Sequence, residues 1–212
     1  MYRHSSKRLH YILFFKPYGV LCQFTKEPNS DKTTLADYGH FPKDVYPAGR
    51  LDADSEGLVF LTNDGRLKHL LIEPAYKHPR TYFVQVEGVP ATDALERLAK
   101  GVIIDKKKTL PAKIELIKNE PYIPPRPVPV RFRKSVPTSW LSITLYEGRN
   151  RQVRKMTAVV GFPTLRLVRV SIGNLLLEGL SPGKQRALSD KEIEDLKKII
   201  APISKDRKTS GL

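Results

Sequence analysis

Short apolar runs of two different periods follow one another along this chain, and their order is irregular. Runs typical of β-strands, some alternating between apolar and polar residues, lie at positions 11–15, 57–62, 81–88 and 139–146. Apolar residues at helical spacing lie at positions 92–100, 151–160 and 189–200. Strands and helices therefore lack the regular alternation that builds a parallel sheet. The pattern predicts an α+β fold with a mixed, mainly antiparallel sheet and flanking helices.

A proline-rich stretch interrupts this pattern. Residues 121–137 contain six prolines in 17 positions, which neither a helix interior nor a central strand tolerates. We expect an extended loop of the polyproline II type there. The loop is also basic, with Arg or Lys at positions 126, 131, 133 and 134.

The chain as a whole carries a strong positive charge. Its 212 residues include 37 Lys and Arg against 22 Asp and Glu, a net charge of +15. Such a charge indicates a polyanionic partner, either nucleic acid or an anionic membrane. No apolar run approaches the roughly 18 residues of a membrane-spanning helix. The single cysteine, Cys22, excludes a disulfide scaffold, so we expect a soluble protein in a reducing compartment.

The ends of the chain differ from its middle. Residues 1–10 form a basic arm before the first apolar run. A capping box at Ser189 and Glu192 opens a last helix, which we expect Pro202 to end. The sequence therefore predicts one folded domain over residues 11–202 and a flexible tail over 203–212.

Residues 48–58 concentrate the acidic groups, in the order Ala-Gly-Arg-Leu-Asp-Ala-Asp-Ser-Glu-Gly-Leu. The simplest interpretation is a polar turn in which Asp52 and Asp54 cap backbone groups. One alternative is a carboxylate nucleophile or base held by an arginine. The other is a divalent-metal site formed by Asp52, Asp54 and Glu56. The local pattern leaves all three open, while phosphate-binding and dinucleotide-binding glycine loops are absent from the sequence.

Residues 146–170 carry six Lys or Arg against one acid. Arg151, Arg154 and Lys155 are three and four positions apart, so they share one helical face. The N-terminus of that helix adds donors for an anion. With so few acids to balance it, this face indicates a surface for a phosphate backbone.

Four motifs occur in a fixed order: Phe-Lys-Pro-Tyr-Gly-Val at 15–20, Gly-Arg-Leu-Asp-x-Asp-Ser-x-Gly-Leu at 49–58, Arg-x-Tyr at 80–82, and Glu-Gly-Arg-Asn-Arg-Gln-Val-Arg-Lys-Met at 147–156. In these motifs the chain resembles the RNA pseudouridine synthases of the RsuA and RluB/E/F group. The resemblance spans about residues 11–188 and is closest to the type that acts on large-subunit ribosomal RNA. Ser55 and Arg80 replace the threonine and lysine of many relatives, which are chemically mild changes.

The resemblance implies the catalytic fold of that family, with two lobes around a central active-site cleft and no separate N-terminal RNA-binding domain. It implies that Asp52 is the catalytic carboxylate of an isomerase, which flips a uridine of 23S ribosomal RNA out of its stack and converts it to pseudouridine. Arg154 is expected to face Asp52 and to favour its ionised form. Tyr82 is expected to stack on the flipped uracil. No cofactor and no metal are implied.

Further residues are expected around this centre. Arg50 would bind a phosphate of the flipped nucleotide. Leu51 and Val153 would line the pocket, although ordinary core packing is an equal alternative. The remaining expected RNA contacts near the pocket are Arg149, Arg151 and Lys155. Arg131 and Arg133, in the proline-rich loop, are expected to contact RNA outside the pocket, although a structural linker with solvated charges is an equal alternative.

Partners and alternatives follow from the same residues. We expect ribosomal RNA, free or in a pre-ribosomal particle, as the partner of a cytoplasmic monomer with no membrane association. A synthase for another RNA site remains open. A metal-dependent nuclease would use the acids of residues 52–56, and a non-catalytic ribosome-assembly factor would use only the basic surface.

Overall fold

The computed structural model describes residues 8–131, 133 and 135–205. The arm predicted for residues 1–10 and the tail predicted for 203–212 lie mostly outside these residues, as does Lys134. The described strands are β1 (Tyr11–Lys16), β2 (Tyr46–Pro47), β3 (Glu56–Thr62), β4 (Arg80–Glu87), β5 (Ile103–Ile104), β6 (Lys107–Lys108), β7 (Lys113–Ile117), β8 (Thr138–Leu145), β9 (Thr164–Ile172), β10 (Leu175–Leu176) and β11 (Gln185–Ala187).

Four α-helices accompany the strands within the described residues. They are α1 (Gly65–Ile72), α2 (Thr92–Lys100), α3 (Gln152–Val159) and α4 (Asp190–Lys205), with short 3₁₀ turns at Leu35–Tyr38 and Pro74–Tyr76. Helix α4 continues past Pro202, so the end predicted there is wrong. Pro202 lacks the N–H that would donate to the carbonyl of Lys198, so the helix loses one hydrogen bond there without ending.

One sheet connects the two halves of the chain. Its strand order is β11-β1-β3-β9-β4-β8-β7, with β2 beside β3 and β10 beside β9. All of its pairs are antiparallel except β3 with β9. The α+β class and the mainly antiparallel sheet are therefore confirmed. The short strands β5 and β6 form a separate hairpin.

Three apolar clusters stabilise this sheet. The first packs α1 and α4 against β1 and β3. The second packs α2 and α3 against β4 and β8. The third lies under the segment between β1 and β3 and includes Leu51. Tyr82 of β4 packs against both the second and the third cluster, so it lies where the two halves of the molecule meet.

The proline-rich stretch has neither helix nor strand in its described residues before Thr138. Two contacts fasten it to the sheet. Arg166 donates to the Pro124 carbonyl over 2.7 Å, and the Arg126 guanidinium lies 4.2 Å from the centre of the Tyr18 ring. The first half of the proline-rich stretch is therefore fastened to the rest of the fold, at Pro124 and Arg126.

Candidate active site

The acidic segment forms a loop that backbone hydrogen bonds hold in place. The Gly19 N–H donates to the Ala53 carbonyl over 2.7 Å, and the Ser55 N–H closes a turn on the Asp52 carbonyl over 3.1 Å. Glu56 and Gly57 then form the parallel contact with β9, and any Cβ at Gly57 would lie 2.3 Å from the Arg169 carbonyl oxygen. Glycine is therefore required at that position for the loop to enter the sheet.

Lys16 supports the loop from beneath. Its side chain is fully buried, and its ammonium donates to the carbonyls of Pro17, Val20 and Ala53 over 2.9, 2.8 and 3.4 Å. Burial lowers the pKa of this ammonium to about 8, against smaller opposing effects of nearby acidic groups. The buried lysine thus ties the turn after β1 to the acidic loop.

Two arginines of the basic segment reach the acidic loop. Arg151 donates two hydrogen bonds to the Asp54 carboxylate, over 3.1 and 2.7 Å, and its Nη1 lies 3.6 Å from Asp52. Arg154 donates to the Asp54 backbone carbonyl over 2.6 Å, and its Nε lies 3.4 Å from the Asp54 carboxylate. Among the described residues, Arg154 makes no ion pair with Asp52. Arg154 is therefore held at Asp54, while the charge of Asp52 also acts on its guanidinium and raises the pKa against the larger effect of burial. A role of Arg154 toward Asp52 in the reaction stays a prediction.

The arginines also change how Asp54 titrates. Burial alone would raise the pKa of its carboxyl, but the hydrogen bonds from Arg151 and the charges of Arg154 and Arg151 lower that pKa below the ordinary value. The bonds to Asp54 in turn raise the pKa of the Arg151 guanidinium. Both groups are therefore charged at neutral pH.

Tyr82 lies in register with the end of the acidic loop. It pairs with Arg169 of β9, which in turn pairs with Gly57 of β3. Two strand spacings, about 10 Å, therefore separate the backbones at Tyr82 and Gly57. Leu51 and Val153 are buried members of the two clusters that Tyr82 joins. Both therefore have the ordinary core packing that the sequence allowed as the alternative to lining the pocket.

The other basic residues divide into bound and exposed groups. Arg149 donates to the carbonyls of Ile104 and Lys107 over 2.6 and 3.1 Å and so fastens the β5–β6 hairpin. Lys155 pairs with Asp105 over 2.7 Å. Three arginines named from the sequence are exposed: Arg50, Arg131 and Arg133. Of these, Arg133 has its Nε 3.6 Å from the Glu87 carboxylate.

Glu56 is separated from the other acids of the loop. Its buried carboxylate accepts two hydrogen bonds from Arg166, both 2.8 Å long, and lies 3.9 Å from Arg126. Asp54 is likewise occupied by arginines. No metal-binding group of three or more His, Cys, Asp or Glu is found in the part of the chain that the structure describes. The donor set required by the metal-site hypothesis is therefore not assembled.

Sequence reasoning missed three of these contributions. Lys16 stands in the first of the four motifs, but no role was expected of it. Glu56 and Arg166 are 110 positions apart and become partners only because β3 lies beside β9. The signal that could have identified them is chemical, since acids and lysines in apolar strands require buried partners.

Comparison with known proteins identifies this arrangement. A family described as RNA pseudouridylate synthase matches residues 10–159. The chain belongs to the RNA pseudouridylate synthase family. It is 56% identical over 178 residues to a ribosomal large subunit pseudouridine synthase E of Vibrio parahaemolyticus, covering 84% of this chain and 73% of that one. It is 53% identical over 171 residues to the protein of the same name in Xanthomonas axonopodis pv. citri, covering 81% and 90%.

A solved structure agrees with this assignment. The crystal structure of a pseudouridylate synthase has a TM-score of 0.73 at 30% identity, over 89% of this chain and 74% of that one. The family expected from the four motifs and the fold that the resemblance implied are both confirmed. The pseudouridylate synthase family consists of isomerases, so the chain is an RNA-modifying isomerase.

No described helix has both the length and the apolar character needed to cross a bilayer.

Proposed function

We propose that this chain converts a specific uridine of large-subunit (23S) ribosomal RNA to pseudouridine, with Asp52 as the catalytic carboxylate. The reaction breaks the bond between ribose C1′ and uracil N1 and forms a bond between C1′ and C5. The C5 proton is lost and N1 gains one, so substrate and product have the same atoms. No oxidant, reductant or other co-reactant is consumed.

One observation carries the proposal. Asp52 lies on a loop that backbone bonds and a buried lysine hold, yet 42% of its side chain is exposed. The neighbouring acid, Asp54, is engaged by two arginines, while the single ion pair of Asp52 among the described residues is 3.6 Å long. A fixed but open carboxylate can approach a substrate, whether it attacks the sugar, attacks the base or removes a sugar proton.

The surrounding residues supply binding and orientation. Tyr82 stacks on the extruded uracil, since an aromatic ring with a polar edge suits a base that has left its stack. Arg154 places a positive charge beside the acidic loop, which favours the ionised form of its carboxylates. Leu51 and Val153 border the position of the uracil through the clusters that they share with Tyr82.

The basic surface binds the RNA backbone. Arg50, Arg131 and Arg133 are exposed and suit phosphate contacts, because planar guanidinium groups match phosphate oxygens. Arg151 and Lys155 add charge at the start of α3, and Arg149 contributes by holding the adjacent hairpin. We further propose that residues 11–202 act as one catalytic unit, as a monomer, in the cytoplasm, on RNA within a ribosomal particle or free of it.

Replacing Asp52 by asparagine tests the proposal. The variant should form no pseudouridine in 23S ribosomal RNA while its RNA affinity stays within a few-fold of the parent chain. Asp105→Asn is the matched control, since it removes an exposed carboxylate near α3 but outside the loop. Pseudouridine mapping at single-nucleotide resolution, with and without the protein, identifies the target position.

Three outcomes would contradict the proposal. Full activity of Asp52→Asn would show that the Asp52 carboxylate is not catalytic. Loss of activity in EDTA, restored by magnesium, would favour the metal-dependent alternative. RNA binding by the parent chain without pseudouridine on any ribosomal RNA would instead support the assembly factor.

A further inference from the structure

The two aspartates of the loop differ in what they bind, although only one residue separates them. Asp54 has both carboxylate oxygens in hydrogen bonds with Arg151, and its backbone carbonyl accepts from Arg154. Asp52 has one ion pair at 3.6 Å, to the same Arg151. The proposed catalytic carboxylate is therefore the less engaged of the two.

The backbone around Arg151 is arranged for this contact. Arg151 has φ of 51° and ψ of 33°, a left-handed conformation that costs a non-glycine residue about 1 kcal/mol or more. It precedes α3 directly, and its carbonyl accepts from the Lys155 N–H over 3.0 Å. A strained conformation persists where the surrounding contacts fix it, and the bidentate bond to Asp54 is the side-chain contact that does so here.

We propose that Asp54 is a positioning residue for the isomerisation: it holds Arg151 and Arg154 so that they flank Asp52 without covering it. Without the carboxylate of Asp54, the nearest acid to the Arg151 guanidinium would be Asp52, at 3.6 Å. A guanidinium forms its strongest contact as a two-bond fork with a carboxylate. Arg151 would therefore close on Asp52 and occupy the oxygens that the substrate needs. This inference rests on the catalytic role proposed for Asp52.

A purely stabilising role for the Asp54 contacts predicts something different. The Arg151 side chain is 42% exposed and that of Asp54 is 35% exposed. Arg154 is 15% exposed, but its hydrogen bond goes to the Asp54 backbone carbonyl, which a change of the Asp54 side chain leaves in place. Exposed ion pairs contribute about 0–1 kcal/mol to stability. Their removal should therefore leave the protein folded, and a large loss of rate would need another cause.

The decisive experiment compares Asp54→Asn, Asp54→Glu and the control Asp105→Asn in the full-length protein. For each we would measure the single-turnover rate of pseudouridine formation at saturating RNA, the dissociation constant for the same RNA, and thermal unfolding. Asparagine keeps the size of the side chain but removes the charge that attracts both guanidinium groups. We expect Asp54→Asn to lower the rate at least tenfold and Asp54→Glu to recover part of it.

The RNA affinity of Asp54→Asn should rise or stay the same while its rate falls. Removing a negative charge beside a phosphate-binding surface should leave the dissociation constant equal or smaller. Asp105→Asn makes the same charge change near α3 and should keep the parent rate. This split between rate and affinity is the signature of positioning.

Two results would overturn the inference. A rate for Asp54→Asn within twofold of the parent chain would show that the arginines need no such holder. A rate that falls together with RNA affinity or with the unfolding temperature would assign Asp54 a structural role. Asp52→Asn separates this failure from failure of the proposed function, since an active Asp52→Asn variant would refute the latter.

Discussion

Lys16 should contribute a stability that rises with pH between about pH 8 and pH 10.5. Its ammonium is fully buried, and burial lowers its pKa from 10.5 to about 8. In the unfolded chain the same group has the ordinary value. Replacing Lys16 by methionine, a side chain of similar length, removes this titration and provides the reference.

The sign follows from the protons bound in each state. Between pH 8 and pH 10.5 the unfolded chain retains the Lys16 proton while the folded chain has lost it, so stability increases with pH. The full shift corresponds to about 3 kcal/mol, present as a penalty below pH 8 and relieved by pH 10.5. Between pH 7 and pH 9.5 the parent chain should therefore gain about 2 kcal/mol relative to Lys16→Met.

Urea denaturation at several pH values measures this difference. Trp140 is the sole tryptophan and is buried, so its fluorescence reports unfolding. The carbonyls that lose their donor in Lys16→Met add a constant cost, which offsets the two pH profiles but does not change how their difference varies with pH. Parallel profiles, or a parent chain that loses stability relative to the variant as pH rises, would refute the reasoning.

Three further predictions concern the sheet and the RNA surface. Gly57→Ala should destabilise the protein by about 3 kcal/mol or more in urea denaturation, because its Cβ would overlap the Arg169 backbone. Glu56→Gln should also cost about 3 kcal/mol, since it leaves a buried guanidinium without its counter-charge; no loss would show that the pair is dispensable. Replacing Arg131 and Arg133 together by alanine should weaken RNA binding and lower the dependence of log Kd on log salt by about 1 for each phosphate that the variant no longer binds; an unchanged slope would exclude them from the interface.

Elements with a local signal were predicted well from the sequence. The helix at Thr92–Lys100 follows its apolar spacing and ends at Gly101. The capping box opening α4 forms as expected, with the Ser189 N–H and hydroxyl both on the Glu192 carboxylate. Such features depend on residues within four positions of one another, which a single sequence contains in full.

Features that depend on distant partners could not be predicted. Strands of two or three residues, such as β5, β10 and β11, have too few residues for a period and exist because a partner lies beside them. The strand order likewise requires knowledge of which runs meet. The parallel contact of β3 with β9 connects residues more than 100 positions apart.

The same distinction applies to the site. The four motifs indicated Asp52, Tyr82 and Arg154 through the family resemblance, and their shared role stays a prediction. The motifs did not determine whether Arg154 would pair with Asp52 or with Asp54. The two aspartates are two positions apart, and the conformation of the turn between Asp52 and Ser55 decides which carboxylate lies beside α3. Lys16 precedes a Pro-Tyr-Gly turn and so has the sequence context of an exposed residue, yet it is the buried support of the loop.

The net charge of +15 indicates a negatively charged partner, but fewer basic residues are available to RNA than this number suggests. Residues 126–169 hold ten Lys or Arg against one acid, and nine of the ten are described. Five of these nine donate to backbone carbonyls: Arg126, Arg149, Arg154, Arg166 and Arg169. A guanidinium has five N–H donors and stays charged when buried, so it can connect irregular backbone and still contribute to a positive field. The basic stretch therefore has two functions. Part of it fastens loops and strands around the site, and only the exposed remainder can exchange its counterions for RNA phosphates.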